Sequence, residues 1–307
     1  MRNTVVLFLA TVLWQSVWAQ PYEVRKSYTD EAGWVGMIEG DMPLVISVPH
    51  GGTLNLDNIP DRSCEGAITV TDSYTRELAM EIADIMQRYH GRRPYIVYCN
   101  LIRKDIDQNR EIEAATCGNA LMDGPWKTFH HFIDTALAMA THQFGGSVYI
   151  DLHGHGHPAQ RLELGYLLKE SELKDLADGK ADVYKLAGKS SLNNFISSNS
   201  SHQNLQELLT GDAAFGTLMA NEGIPSVPSK QDPYPKEGEK YFNGGFNTRE
   251  YTSAQYPNVI GWQIETNMKG VRDKAGRPVF AKAFCKVIVQ FIQQQTSFKF
   301  PANISIQ

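Results

Sequence analysis

Three histidines fall within five residues, His153-Gly154-His155-Gly156-His157, directly after the run Val148-Tyr149-Ile150-Asp151. Neutral imidazoles suit a borderline-soft cation such as Zn²⁺. Another histidine follows a similar apolar run, Leu44-Val45-Ile46-Ser47-Val48-Pro49, and opens the turn His50-Gly51-Gly52. The run Val259 to Ile264 delivers Glu265 in the same way. Tyr95 to Cys99 delivers the stretch Asn100 to Glu111, where nine of twelve residues are polar or charged, among them Arg103, Asp107, Asn109 and Arg110. Two His and a carboxylate with one position left open is the usual layout of hydrolytic zinc. The open position holds a water that the metal acidifies and a nearby carboxylate deprotonates. Arginines then hold a substrate carboxylate or the developing oxyanion.

Each of these groups ends a short apolar run, and such runs read as buried strands. In open α/β sheets ligands collect outside the carboxyl ends of the strands, so an α/β fold would bring the groups to one edge. Between the runs lie helical patterns. Asp72 reads as the N-cap of a helix running to about Tyr89, with Leu78, Ile82, Ile85, Met86 and Tyr89 as its stripe and Gly91 as its stop. Pro125 opens a helix to about Phe144 whose stripe is Trp126, Phe129, Ile133, Leu137 and Ala140. His130, His131 and His142 fall mostly off that stripe and are expected at the surface. A further strand is expected over 164–168, and a terminal helix from Pro278 turns Phe280, Phe284, Val287, Ile288 and Phe291 inward. The longest irregular piece, Pro225 to Ser253, holds four Pro and the tract Tyr241-Phe242-Asn243-Gly244-Gly245-Phe246-Asn247-Thr248-Arg249. Loops of that length in compact domains are usually functional or disordered, and the aromatics and paired glycines favour an ordered loop at the site. No repeat or linker divides the chain, so one domain is expected.

The chain begins with a basic residue, Arg2, an apolar segment from Val5 to Trp14, and small Ala19. That is the pattern of a signal peptide over residues 1–19, leaving a secreted domain over 20–307. No later stretch is apolar enough to span a membrane. Lys and Arg number 29 against 34 Asp and Glu, a formal charge of −5, and loss of Arg2 makes the balance one unit more negative. With no basic patch, nucleic acid is not an expected partner. A secreted chain with four Cys allows disulfides. Cys64 and Cys117, in polar loop sequence, are the favoured pair; Cys99 and Cys285 suit the core. Asn199-Ser200-Ser201 and Asn303-Ile304-Ser305 are glycosylation sequons.

The ordered set Ser47-Val48-Pro49-His50-Gly51-Gly52, Arg103 with Asp107-Gln108-Asn109-Arg110, Asp151-Leu152-His153 and Gln263-Ile264-Glu265 resembles the N-formylglutamate amidohydrolase family, relatives of the zinc carboxypeptidases and of aspartoacylase. The resemblance runs from about residue 44 to 268. It implies a mixed, mostly parallel sheet between helices and one Zn²⁺ held by His50 and His153. In carboxypeptidases a Glu ligand lies three residues after the first His; here that position is Thr53. Asp72, or its rival Glu77, is left to supply the carboxylate. The same resemblance gives Glu265 the part of general base, Arg103 that of polarising the scissile carbonyl, and Asn109 with Arg110 the grip on a substrate carboxylate. Arg161, Arg249 and Arg272 are further candidates for that acid group. Asp151 is expected to orient a ligand histidine from behind, while His155 and His157 are expected as pocket or surface residues rather than ligands.

The expected function is a secreted zinc amidohydrolase acting on an N-acyl amino acid or small peptide-like substrate with a carboxylate. Formylglutamate itself, a substrate of intracellular histidine breakdown, sits poorly with export. Two alternatives stay open: a carboxypeptidase-like exopeptidase, and a non-catalytic extracellular protein with a degenerate metal site.

Overall fold

The computed structural model describes residues 26–198 and 204–300. The expected signal segment and both sequons lie outside the described residues. Within them, strands β1 (Ser27–Thr29), β2 (Val35–Ile38), β3 (Leu44–Val48), β4 (Tyr95–Cys99), β5 (Ser147–Gly154), β6 (Leu162–Gly165), β7 (Ser226–Val227) and β8 (Val259–Thr266) form one sheet in the order β1-β2-β4-β3-β5-β8-β6-β7. The central strands β4, β3, β5 and β8 are mutually parallel, while β2 joins β4, and β6 joins β8, antiparallel. The mixed, mostly parallel sheet is the one expected. The run anticipated over 164–168 is the slightly earlier strand β6.

The helices are α1 (Thr75–His90), α2 (Ile112–Thr116), α3 (Asp123–Phe144), α4 (Glu170–Ala177), α5 (Val183–Lys189), α6 (Asn193–Ser198), α7 (Leu205–Thr210), α8 (Phe215–Asn221), α9 (Phe246–Tyr251) and α10 (Gly276–Gln295). None of the described helices is long and apolar enough to cross a membrane. The central strands are buried on both faces, which is why they read as near-continuous apolar runs. Their alternate residues feed two cores. Leu44, Ile46, Val48, Val148, Ile150, Leu152, Trp262 and Ile264 pack with α1 and α10. Val45, Val97 and Tyr149 pack with Phe129, Ile133 and Leu137 of α3.

That alternation also makes the site. On the α1–α10 face β3 stays apolar to its end, and β5 and β8 stay apolar as far as Leu152 and Ile264. On the opposite face the last positions turn polar: Ser47 on β3, Asp151 and His153 on β5, Gln263 and Glu265 on β8, Glu163 on β6, all buried. Side chains two apart share a face, so these groups form one polar patch at the carboxyl ends of the parallel strands. The long segment 225–253 is ordered, carrying β7 and α9, and α9 packs against β5 and β8.

A disulfide joins Cys64 to Cys117, the favoured pair, while Cys99 and Cys285 are free and buried. His131 and His142 are exposed as expected. His130 is not: it is 7% exposed, with Nδ1 2.6 Å from the Tyr251 hydroxyl and its ring against Trp126. The α3 stripe is wider than the single face predicted, because α9 covers the neighbouring face and takes His130 inside.

Candidate metal centre

His50 leaves β3 through a passage that only glycine permits. A Cβ on Gly52 would lie 2.3 Å from backbone atoms of Asn100 and Leu101, and one on Gly51 would lie 2.6 Å from Thr75 Oγ1. The turn also brings the next ligand-bearing loop into place, since Asp72 N–H donates to the His50 carbonyl at 3.0 Å. Asp72 is not the N-cap of α1. Tyr74 holds that position at φ 68°, without a side-chain cap, so the Asp72 carboxylate is free to turn toward the imidazoles. Glu77, its rival, is exposed on α1.

His50, Asp72 and His153 converge, all buried. The two Nδ1 atoms stand 3.2 Å apart, and Asp72 Oδ2 lies 3.1 Å from His153 Nδ1 and 3.4 Å from His50 Nδ1. Each outer ring nitrogen meets its own carboxylate: His50 Nε2 reaches Asp107 Oδ1 at 2.6 Å, and His153 Nε2 reaches Asp151 Oδ2 at 2.8 Å. With the protons held outward on those carboxylates, both Nδ1 lone pairs point inward beside a carboxylate oxygen. Three electron-rich atoms so placed repel one another unless positive charge sits between them. Ligand bonds of 2.0–2.2 Å in a tetrahedron give edges of about 3.3–3.6 Å, close to those of this triangle. The residues fit a metal ion.

The charges respond as such a cluster must. Burial alone would raise Asp72, but hydrogen bonds from His153 and His50 hold it well below the usual carboxylate range. Burial alone would lower His153, but Asp151 and Asp72 outweigh it and raise it well above an ordinary imidazole. The site demands a cation, whether a proton or a metal.

Behind the ligands the supports are fully engaged. Asp151 also takes the Ser47 hydroxyl at 2.6 Å and Asn247 Nδ2 at 3.3 Å, tying β3 and α9 to β5. Asp107 accepts from Arg103 Nε at 3.1 Å and Nη2 at 3.0 Å. Arg103 is half-buried, its Nη1 3.9 Å from Asp72. Asn109 places Nδ2 3.2 Å from His153 Nε2 and accepts from Asn247 N–H at 2.8 Å. Arg110, next along, donates to the Asn109 carbonyl.

Glu265 lies beside His153 across the β5–β8 pair. Gln263 donates to its Oε1 at 2.8 Å, and Oε2 is buried with no hydrogen-bond partner. Burial, with the charges of Asp72 and Glu163, pushes the carboxyl up to about 8 against the pull of His153. The orphaned oxygen of a carboxyl so raised can take or give a proton at the edge of the cluster.

The remaining arginines separate. Arg272, a candidate for substrate, is a staple: Nε donates to the Thr266 carbonyl, Nη1 to that of Ser73 and Nη2 to that of His155, at 2.7–3.0 Å. It lies so close over Gly154 that a Cβ there would meet its guanidinium at 2.3 Å. Arg161 is buried between Asp232 and Glu239, 2.7 Å from each. Arg249 is exposed on α9. Sequence reasoning missed Arg62, buried and donating to the carbonyls of Ile68, Arg103 and Ala114. It also missed the bond from Asp107 to His50 and the Ser47–Asp151 contact. A serine inside the otherwise apolar run of β3 was the available signal for the last.

A second group, His155, His157 and Glu163, also brings three donors together. His155 is spent, however. Its Nε2 donates to the Arg161 carbonyl at 2.9 Å, and its Nδ1 accepts from His157 N–H at 3.1 Å.

The sheet and cluster define an α/β protein with a buried His–Asp–His group able to hold a metal ion at the carboxyl edge of its parallel strands. Its fold is that of N-formylglutamate amidohydrolase: the crystal structure of that enzyme from Ralstonia eutropha JMP134 superposes with a TM-score of 0.51 over 85% of this chain and 98% of that one, at 11% identity. The crystal structure of a gene product from Agrobacterium tumefaciens aligns at a TM-score of 0.45 and 12% identity, over 84% of this chain and 94% of that one. No protein-family profile matches the chain, and no curated protein matches it in sequence.

Proposed function

We propose that this chain is a secreted zinc amidohydrolase that cleaves the amide bond of an N-acyl amino acid or a small peptide-like substrate bearing a carboxylate. The observation that carries the reading is the triangle of His50 Nδ1, His153 Nδ1 and Asp72 Oδ2, with edges of 3.1–3.4 Å and an unpartnered Glu265 oxygen near it. The likeness in fold to an amidohydrolase supports it. Zinc, when bound, would polarise the scissile carbonyl and acidify a water.

The chain's own groups do the rest. Glu265 takes the proton of the attacking water and returns it to the departing amine; its desolvated carboxylate is basic enough for both steps. Arg103, held by Asp107, faces the charge that grows on the carbonyl oxygen. Arg110 takes the substrate's carboxylate, while Asn109 stays buried behind His153. Asp107 and Asp151 keep both imidazoles turned and basic.

The test is metal analysis of the purified protein, followed by turnover of a panel of N-acyl amino acids and of peptides with free or amidated C-termini. Glu265→Gln is expected to keep about one zinc per chain and lose at least a hundredfold in turnover. A protein that neither carries nor takes up zinc would overturn the reading. Cleavage confined to peptides with a free C-terminus would move it to a carboxypeptidase.

A further inference from the structure

The pair His157–Glu163 has no part in holding the centre, yet it is built like a working group. Glu163 is fully buried. Its Oε1 lies 2.8 Å from His157 Nδ1, and its Oε2 accepts the Phe242 N–H at 2.8 Å. The Phe242 ring, 43% exposed, stacks on the imidazole at 4.6 Å. One carboxylate thus fixes both the histidine and the aromatic that covers it. The tautomer that gives Nδ1–H to Glu163 keeps an acceptor lone pair at Nε2. The half-buried His157 side chain is 12% exposed and is held by Glu163 at Nδ1 and by the Phe242 ring over its face.

Strand register locates the pair. His153 is opposite Glu265, and Glu265 is opposite Glu163. The three side chains share one face on adjacent strands, so the Glu163 backbone lies two strand spacings, about 10 Å, from that of His153. On the other flank, from the loop after β4, come Arg103, Asp107, Asn109 and Arg110. The edge formed by the strand ends therefore has arginines on one side of the His–Asp–His cluster. On the other side it has an oriented imidazole and an exposed phenyl ring.

We propose that His157, positioned by Glu163, contacts the acyl half of the substrate and selects acyl groups that carry a hydrogen-bond donor. This rests on the amidohydrolase reading above. If the arginine flank takes the amino acid's carboxylate, the acyl group extends past Glu265 to His157 and Phe242. A hydroxyl there donates to Nε2; a methyl in its place leaves that acceptor unpaired.

The test compares two substrates that differ only in this respect, the N-glycolyl and N-propionyl derivatives of one amino acid, on the zinc-loaded protein. Wild type is expected to favour the glycolyl compound about tenfold in kcat/KM. His157→Leu should bring the ratio near one at unchanged zinc content, and His157→Gln should restore part of it. Glu163→Gln, which leaves the ring but loosens it, should lower the ratio and move the ¹⁵N signal of His157 Nδ1. A His157→Leu protein with the wild-type ratio and full zinc overturns the assignment while the amidohydrolase reading stands. Loss of zinc and of turnover on both compounds would make His157 a support of the metal centre, which also overturns it. Turnover of neither compound by zinc-loaded wild type overturns both readings.

Discussion

Asp107 shows how much a single carboxylate can carry. It is fully buried, receives Arg103 and meets the outer nitrogen of His50. Its pKa is held well below the usual range because His50 and Arg103 outweigh the cost of burial. If its work is to fix the tautomer of His50, Asp107→Asn should weaken zinc binding about 10–100-fold, whereas Glu77→Ala, on the exposed side of α1, should leave it unchanged. Competition with a chromophoric chelator reads both; equal affinities for wild type and Asp107→Asn would refute the role. At this scale residue types were legible in the sequence, because histidines, carboxylates and arginines at the ends of apolar runs can be recognised one by one. Their pairings were not. Asp107 and His50 are 57 positions apart, and nothing local says which acid stands behind which imidazole.

At the scale of elements, Arg272 ties together three segments: the loop before α1 that bears Asp72, the end of β5 beyond His153, and the end of β8 beyond Glu265. In Arg272→Met the His155 carbonyl would lose its buried donor, at about 1–3 kcal/mol for a buried unsatisfied group, and the Thr266 carbonyl would keep only the His155 N–H. A loss of roughly 3 kcal/mol in denaturant unfolding is expected, with weaker zinc binding besides. Gly154→Ala, which drives a methyl into the guanidinium, should act in the same direction. Unchanged stability in both variants would mean that the staple is redundant. Strands and long helices were readable from periodicity and from Pro and Gly at their ends. The start of α1 was misread: Asp72 has the chemistry of an N-cap, but the imidazoles offer its carboxylate stronger partners than a helix N–H. Arg272 was misread for a similar reason, since an arginine's partners are carbonyls of distant loops that leave no mark in sequence.

At the scale of the molecule, two responses follow from what is buried. On the zinc reading, chelation removes a ligand that binds only the folded chain, so the unfolding temperature should fall. At free zinc a thousandfold above Kd the bound ion contributes about 4 kcal/mol. A melting temperature indifferent to chelator would argue against an occupied centre. His130 gives the second response. Burial holds it at about 3 in the folded protein, slightly opposed by Asp151, against 6.5 in the open chain. As pH falls through 6.5 the unfolded state takes this proton and the folded state does not. The contribution is therefore complete above about pH 6.5 and is lost toward pH 3, at about 1.4 kcal/mol per unit. His130→Gln, which can keep the bond to Tyr251, should flatten the stability profile over that window; an unchanged slope would show that other groups set it. The sequence by itself determined the α/β class, the central strands and the kinds of chemistry waiting at the strand ends, because each is written in local periodicity or composition; it favoured the Cys64–Cys117 bridge, which the structure contains. Only the tertiary structure decided that His50, Asp72 and His153 share one point, that Arg272 is spent on backbone, and that His130 lies inside. Those outcomes depend on strand order and on which loop covers which face, and both are fixed by packing between residues far apart in the chain.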